Sequence, residues 1–118
     1  MKKWLLPAAL AAITAFAMPV MAASKLGDLS KFEKIAHDTL VLVDKGDLKA
    51  AQKRITNFES AWDKAEPKLR PKDKNEWGVI DDAADAAIAS LRSKSPSATD
   101  AQKTVSALID TIKSPTAE

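Results

Sequence analysis

Three aspartates, Asp81, Asp82 and Asp85, spell D-D-x-x-D near the middle of the chain. Residues four apart share a helix face, so Asp81 and Asp85 can offer oxygens to one Mg²⁺ or Ca²⁺ ion. In terpenoid synthases this spelling holds magnesium and a diphosphate, with a large helical cavity and a second metal motif. This chain is too short for either, so the trio is read as a solvated acidic face, with a metal-binding or metal-sensing site as the alternative. His37 is the only histidine. It suits a sensor, or a supplement to the aspartates, but with no cysteine it cannot complete an ordinary zinc set. Trp62 and Trp77 are either a stacking pair for a small apolar ligand or core rings beside a proline-rich turn. Lys64, Lys68, Arg70, Lys72 and Lys74 crowd that turn, interleaved with Asp63, Glu66, Asp73 and Glu76. Their net charge is small, which reads as mixed surface charge or as a rim for an acidic partner or anionic lipid head groups. No nucleophile, base and orienting group fall together, so the expectation is a protein that is not an enzyme and carries no cofactor.

The elements that must position these residues are helices. Apolar residues recur at steps of three and four and nowhere alternate over strand length. The first helix spans about Ser30 to Lys45, with Phe32, Ile35, Ala36, Thr39, Leu42 and Val43 on one face. Asp28 or Ser30 can cap it, and Gly46 suits the left-handed residue that closes it. The second opens at Asp47 and carries Leu48, Ala51, Ile55, Phe58, Trp62 and Ala65, a seam for helix packing. Pro67 predicts its end near Glu66. Asp73 with Glu76 forms a capping-box variant for the third helix. Its face is Trp77, Ile80, Ala84, Ala87 and Leu91, with Ile88 alongside, and it reaches about Ser93. Asp82 and Asp85 fall off that seam and Asp81 flanks it. Ser97 or Thr99 caps the fourth helix, whose face is Ala101, Val105, Leu108 and Ile112 with Ile109, and Pro115 stops it. Short connections between four such helices predict an all-α, antiparallel up-down-up-down four-helix bundle. The other architecture is two helical hairpins that dimerise to complete a core.

The ends and totals place the chain. Lys2 and Lys3 precede the uncharged run "WLLPAALAAITAFA", and Val20-Met21-Ala22 gives small residues before Ala23. This pattern predicts a cleavable secretory signal peptide over residues 1–22. The expected organisation is then a four-helix domain over 23–114 and a flexible tail over 115–118. Of 118 residues, removal of 22 leaves 96, enough for one domain with a modest core. The whole chain has 18 Lys and Arg against 16 Asp and Glu. Lys2 and Lys3 leave with the signal, so the balance becomes 16 against 16. A near-neutral domain with no basic stripe in its sequence argues against nucleic acid. Cysteine is absent, which excludes disulfides, thiolate chemistry and c-type haem attachment.

The stretch from Gly46 to Pro96 resembles a recurrent pattern in small exported or membrane-exposed helical modules of proteobacteria. Gly46-Asp47-Leu48, Trp62-Asp63, Glu66, Leu69-Arg70-Pro71, Trp77, Ile80-Asp81, Asp85, Leu91-Arg92 and Pro96 carry the resemblance. It implies no catalytic or ligand residue. The plan also resembles periplasmic four-helix cytochromes, but no methionine follows Met21 and His37 stands alone, so haem ligation fails on residues. The expectation is a soluble periplasmic protein, monomer or homodimer, that acts by binding. Its partner would be a periplasmic or membrane protein, such as a sensor or transporter, or a small apolar ligand at Trp62 and Trp77.

Overall fold

A computed structural model describes residues 24–115. The signal-peptide segment 1–22, Ala23 and residues 116–118 lie outside the described residues.

Among the described residues four helices account for most of the length: α1 Ser30–Asp44, α2 Leu48–Leu69, α3 Lys74–Arg92 and α4 Ala98–Lys113, with a short 3₁₀ turn at Arg70–Lys72 between α2 and α3. Each helix packs on two others, α1 on α2 and α4, and α3 on α2 and α4. The ring closes within one chain. Among the described residues no helix is long and apolar enough to cross a membrane.

The helix ends follow local chemistry. Asp47, Asp73 and Ser97 each accept a hydrogen bond from the amide three residues on, at Ala50, Glu76 and Asp100. These contacts satisfy amides that no intrahelical carbonyl reaches. After α1, Gly46 takes φ +81°. Its N–H reaches the Val43 carbonyl at 2.9 Å and the Asp47 N–H reaches Leu42 at 2.9 Å. That paired pattern needs a left-handed residue, which glycine adopts without steric cost.

The start of α1 meets expectation only in part. Leu29 is its cap residue and contributes no side-chain hydrogen bond. Asp28 instead accepts from the Ser30 amide at 2.9 Å, and neither Asp28 nor Ser30 is the cap itself. Pro67 does not end α2, which runs to Leu69. A proline that near the C-terminus removes only one late hydrogen bond. Burial of Leu69 and the Arg70 N–H bond to the Glu66 carbonyl hold the last turn. Pro115, expected in a loose tail, is fully buried. A ring without an N–H loses no hydrogen bond when it packs inside.

The seams predicted for α3 and α4 are all buried, from Trp77 to Leu91 and from Ala101 to Ile112. On α1, Phe32, Ala36, Thr39 and Val43 are buried while Ile35 and Leu42 sit at the margin. Buried Thr39 donates to the Ile35 carbonyl at 2.8 Å and so brings no unsatisfied hydroxyl into the core. Two further core residues, Leu26 and Leu29, come from the segment ahead of α1.

Candidate functional site

Four aromatic rings meet where α1, α2 and α3 converge. Phe32 packs edge-on to Phe58 at 5.9 Å and to Trp62 at 5.2 Å between centroids. Phe58 stacks on Trp62 at 5.9 Å. Trp62 and Trp77 lie nearly parallel, 5.6 Å apart with 11° between planes. The Arg70 guanidinium lies 5.3 Å from the Trp77 centroid and pairs with Glu66 at 2.9 Å. Trp62 is 1% exposed and Trp77 8%. The two indoles are therefore brought together as the sequence pattern anticipated, with their faces occupied by each other, by phenylalanines and by arginine. The Trp77 Nε1 is enclosed without a hydrogen-bond partner among the described residues.

Trp62 Nε1 donates to Asp81 Oδ1 at 3.1 Å. This bond ties the aromatic cluster to the acidic trio. Oxygens of Asp81, Asp82 and Asp85 lie within 4.8 Å of one another, with Asp81 half-buried and the other two exposed. Burial, then the neighbouring charge of Asp85, push the Asp81 carboxyl above the ordinary carboxylate range. The Trp62 bond works the other way, and Asp82 and Asp63 add to the rise. His37 is not in this group. It lies on α1, exposed, with Nε2 4.0 Å from Glu33, beside a shallow groove with Leu40, Ile109 and Asp110.

Sequence spacing missed the role of Glu76. Its amide completes the Asp73 cap at 2.9 Å, but its side chain does not close the capping box. The buried Glu76 carboxylate instead accepts from Ser24 Oγ at 3.1 Å and from the Lys25 amide at 3.0 Å. Lys25 adds an ion pair to Asp73 at 3.6 Å. The segment from Ser24 to Leu29 is thus clasped to the start of α3. The only local sign of this was two leucines, Leu26 and Leu29, ahead of the first periodic helix.

Charges that interleave in sequence separate in space. Lys49, Lys53, Asn57, Ser60, Lys64 and Lys68 follow one another on α2 at steps of four, four, three, four and four, so they share a face. Opposite lies the buried seam of Ala51, Ile55, Phe58 and Trp62. The acids of α2 occupy other rows. Arg92 holds Glu59 at 2.7 Å and Arg70 holds Glu66 at 2.9 Å. Lys31 reaches the same side from α1. With Lys64 and Lys68 it frames an open groove of about 490 Å³ over Asn57, Ser60, Ala61 and Ala65. A second groove of about 430 Å³ continues from Asn57 to Lys53, Gln52 and Thr56. None of Lys31, Lys49, Lys53, Lys64 and Lys68 forms an ion pair among the described residues.

No protein-family model, curated protein or solved structure matches the chain.

Proposed function

We propose that this is an exported, soluble periplasmic binding protein: an antiparallel up-down-up-down bundle, released from residues 1–22, that works by surface contact and not by catalysis. Contacts at both ends support the topology. Gln52, early in α2, donates to the Leu91 carbonyl late in α3 at 3.3 Å. Gln102, early in α4, donates to Asp44 at the end of α1, and Lys113 lies 4.0 Å from Glu33. The resemblance of the Gly46–Pro96 stretch to exported helical modules agrees with the location.

The observation that carries the binding reading is the segregation of charge on α2. A helix whose Glu59 and Glu66 are held by arginines, whose Asp63 lies off the lysine row, and whose lysines are left unpaired in that row, presents a field to a partner. The lysine row on α2 corrects the expectation of no basic stripe. The partner is a periplasmic or membrane component, with nucleic acid set aside on location and on the near-neutral charge balance. Native mass spectrometry of the protein, purified from the periplasm without chelators, tests the proposal. The expected result is a processed chain, cut before Ala23, that retains a partner when crosslinked in cells through α2. Crosslinking that yields no adduct from any α2 position would remove the proposal.

The carboxylate trio favours a second reading, a metal-binding or metal-sensing site at Asp81, Asp82 and Asp85. Three oxygens already within 4.8 Å suit a hard cation, which would offset the like-charge repulsion that, after burial, raises the Asp81 carboxyl. Such a cation would raise the melting temperature, since it binds only the folded arrangement. No shift with Ca²⁺, Mg²⁺ or Mn²⁺ would discard it.

A further inference from the structure

We infer that the lysine face of α2, joined by Lys31 of α1, docks the protein on a membrane surface rich in anionic phosphodiester head groups. The inference rests on the binding reading above and names the partner. Lys49 to Lys68 spans about 28 Å of helix, a straight row along the outside of the bundle. At one end Lys31, Lys64 and Lys68 converge around a groove whose other polar groups are the Ser60 hydroxyl and the Asn57 amide. Three ammonium groups, a hydroxyl and an amide are donors suited to phosphate oxygens, with lysine acting as a point charge.

The composition of the face selects a lipid surface over an acidic protein. Stable protein interfaces centre on buried aromatic or large apolar anchors. This face has none: among the described residues the only exposed large hydrophobic is Val41, on α1. Between the lysines lie Asn57, Ser60, Ala61 and Ala65, which insert nothing into a partner. Attraction of a basic segment to an anionic leaflet needs no anchor, only unpaired charge held near the surface. The near balance of acids and bases over the whole chain makes the attraction depend on this face and not on net charge. It will be short-ranged and weakened by salt.

The test is co-sedimentation with vesicles of phosphatidylcholine alone or mixed with phosphatidylglycerol. The protein is the form recovered from an exporting host, its N-terminus read by mass spectrometry. Binding is expected to the mixed vesicles at low salt, little at high salt, and none to phosphatidylcholine. Lys64→Glu with Lys68→Glu should weaken it by about tenfold or more. Lys94→Glu with Lys103→Glu, which makes the same net change on exposed positions elsewhere, should leave it within about twofold. Circular dichroism confirms that both variants keep the helical fold. Equal losses in the two variants would overturn the inference in favour of net charge alone. Binding to phosphatidylcholine would overturn it in favour of apolar insertion. Loss of binding on adding inorganic phosphate at constant ionic strength would assign the groove to a free anion. No vesicle binding, together with adducts from α2 crosslinking in cells, would reject the lipid partner while leaving the binding reading intact.

Discussion

The Trp62–Asp81 hydrogen bond sets two effects against each other on one carboxyl. Donation from the indole favours the ionised form, but burial and the charges of Asp85, Asp82 and Asp63 outweigh it. The folded state therefore binds this proton more tightly than the unfolded chain does. Such a group adds stability below the ordinary carboxylate value of 3.8 and loses it as pH rises through its raised folded value. At neutral pH the ionised Asp81 is a small cost. Asp81→Asn keeps an oxygen to accept from Trp62 and removes the charge. It should stabilise the protein by about 0.5 kcal/mol at pH 7, the scale of one relieved like-charge pair four apart on a helix. The gain should vanish once the acid form dominates in the parent. Urea melts of both proteins at neutral and acid pH give the difference directly. Comparing the two proteins cancels Asp38, Asp73 and Asp28, which titrate in the opposite sense. The Arg54 hydrogen bond holds Asp38 low, the Glu76 amide holds Asp73 low and the Ser30 amide holds Asp28 low. Their stabilisation is present above the ordinary value and is lost as pH falls through their lowered values. Should Asp81→Asn destabilise only when Ca²⁺, Mg²⁺ or Mn²⁺ is added to the parent, the carboxylates would be holding an ion.

At the scale of elements, the clasp between Glu76 and the Ser24–Leu29 segment adds a piece of core that no helix supplies. Leu26 and Leu29 are buried under it. Glu76→Ala would remove the acceptor of the Ser24 hydroxyl and the Lys25 amide and should cost about 1–3 kcal/mol, the net worth of two part-buried hydrogen bonds. Glu76→Gln retains an acceptor and should cost less. Hydrogen exchange reads the cause: the Lys25 amide should lose protection in the alanine variant while amides in mid-α3 keep theirs. Equal loss of protection across α3 would show instead that Glu76 serves the helix and not the clasp. This element also shows where sequence reasoning ends. Helix α4 was legible to the residue, because Ala101, Val105, Leu108, Ile109 and Ile112 repeat with the helical period and all are buried. The Asp47 cap was legible because the cap is local chemistry, and the same chemistry narrowed the α4 cap to Ser97 or Thr99, of which Ser97 caps. The clasp joins residues 51 and 52 positions apart, and six residues carry no period to read. Pro67 misled for a related reason. Its local preference was real, but Leu69 packs into the core and that burial outweighs it.

Across the whole molecule, pairing decides what the charges mean, and pairing is a property of the fold. The interleaved acids and bases around Pro67 and Pro71 read as mixed surface charge, or as a rim for an acidic partner or anionic lipid. In the folded chain Arg92 takes Glu59, Arg70 takes Glu66 while lying on Trp77, and Lys31 arrives from α1. The lysines of α2 remain as a face that no local window displays. The same closure bears on assembly. Each helix finds both its neighbours in its own chain, so the core needs no second copy, unlike a pair of hairpins that must dimerise. Among the described residues only Val41 leaves a large apolar side chain exposed, at 50%. A stable homodimer interface is usually more apolar than ordinary surface. The protein should therefore sediment as a monomer, and its melting temperature should not depend on its concentration. Obligate dimers show such dependence because folding is coupled to association. A melting temperature that climbs with concentration would require a second copy to cover part of this surface. Crosslinking at Val41 on α1 and at Ser60 on α2 would then tell whether the apolar margin or the lysine face is covered, and only the second would compete with a membrane.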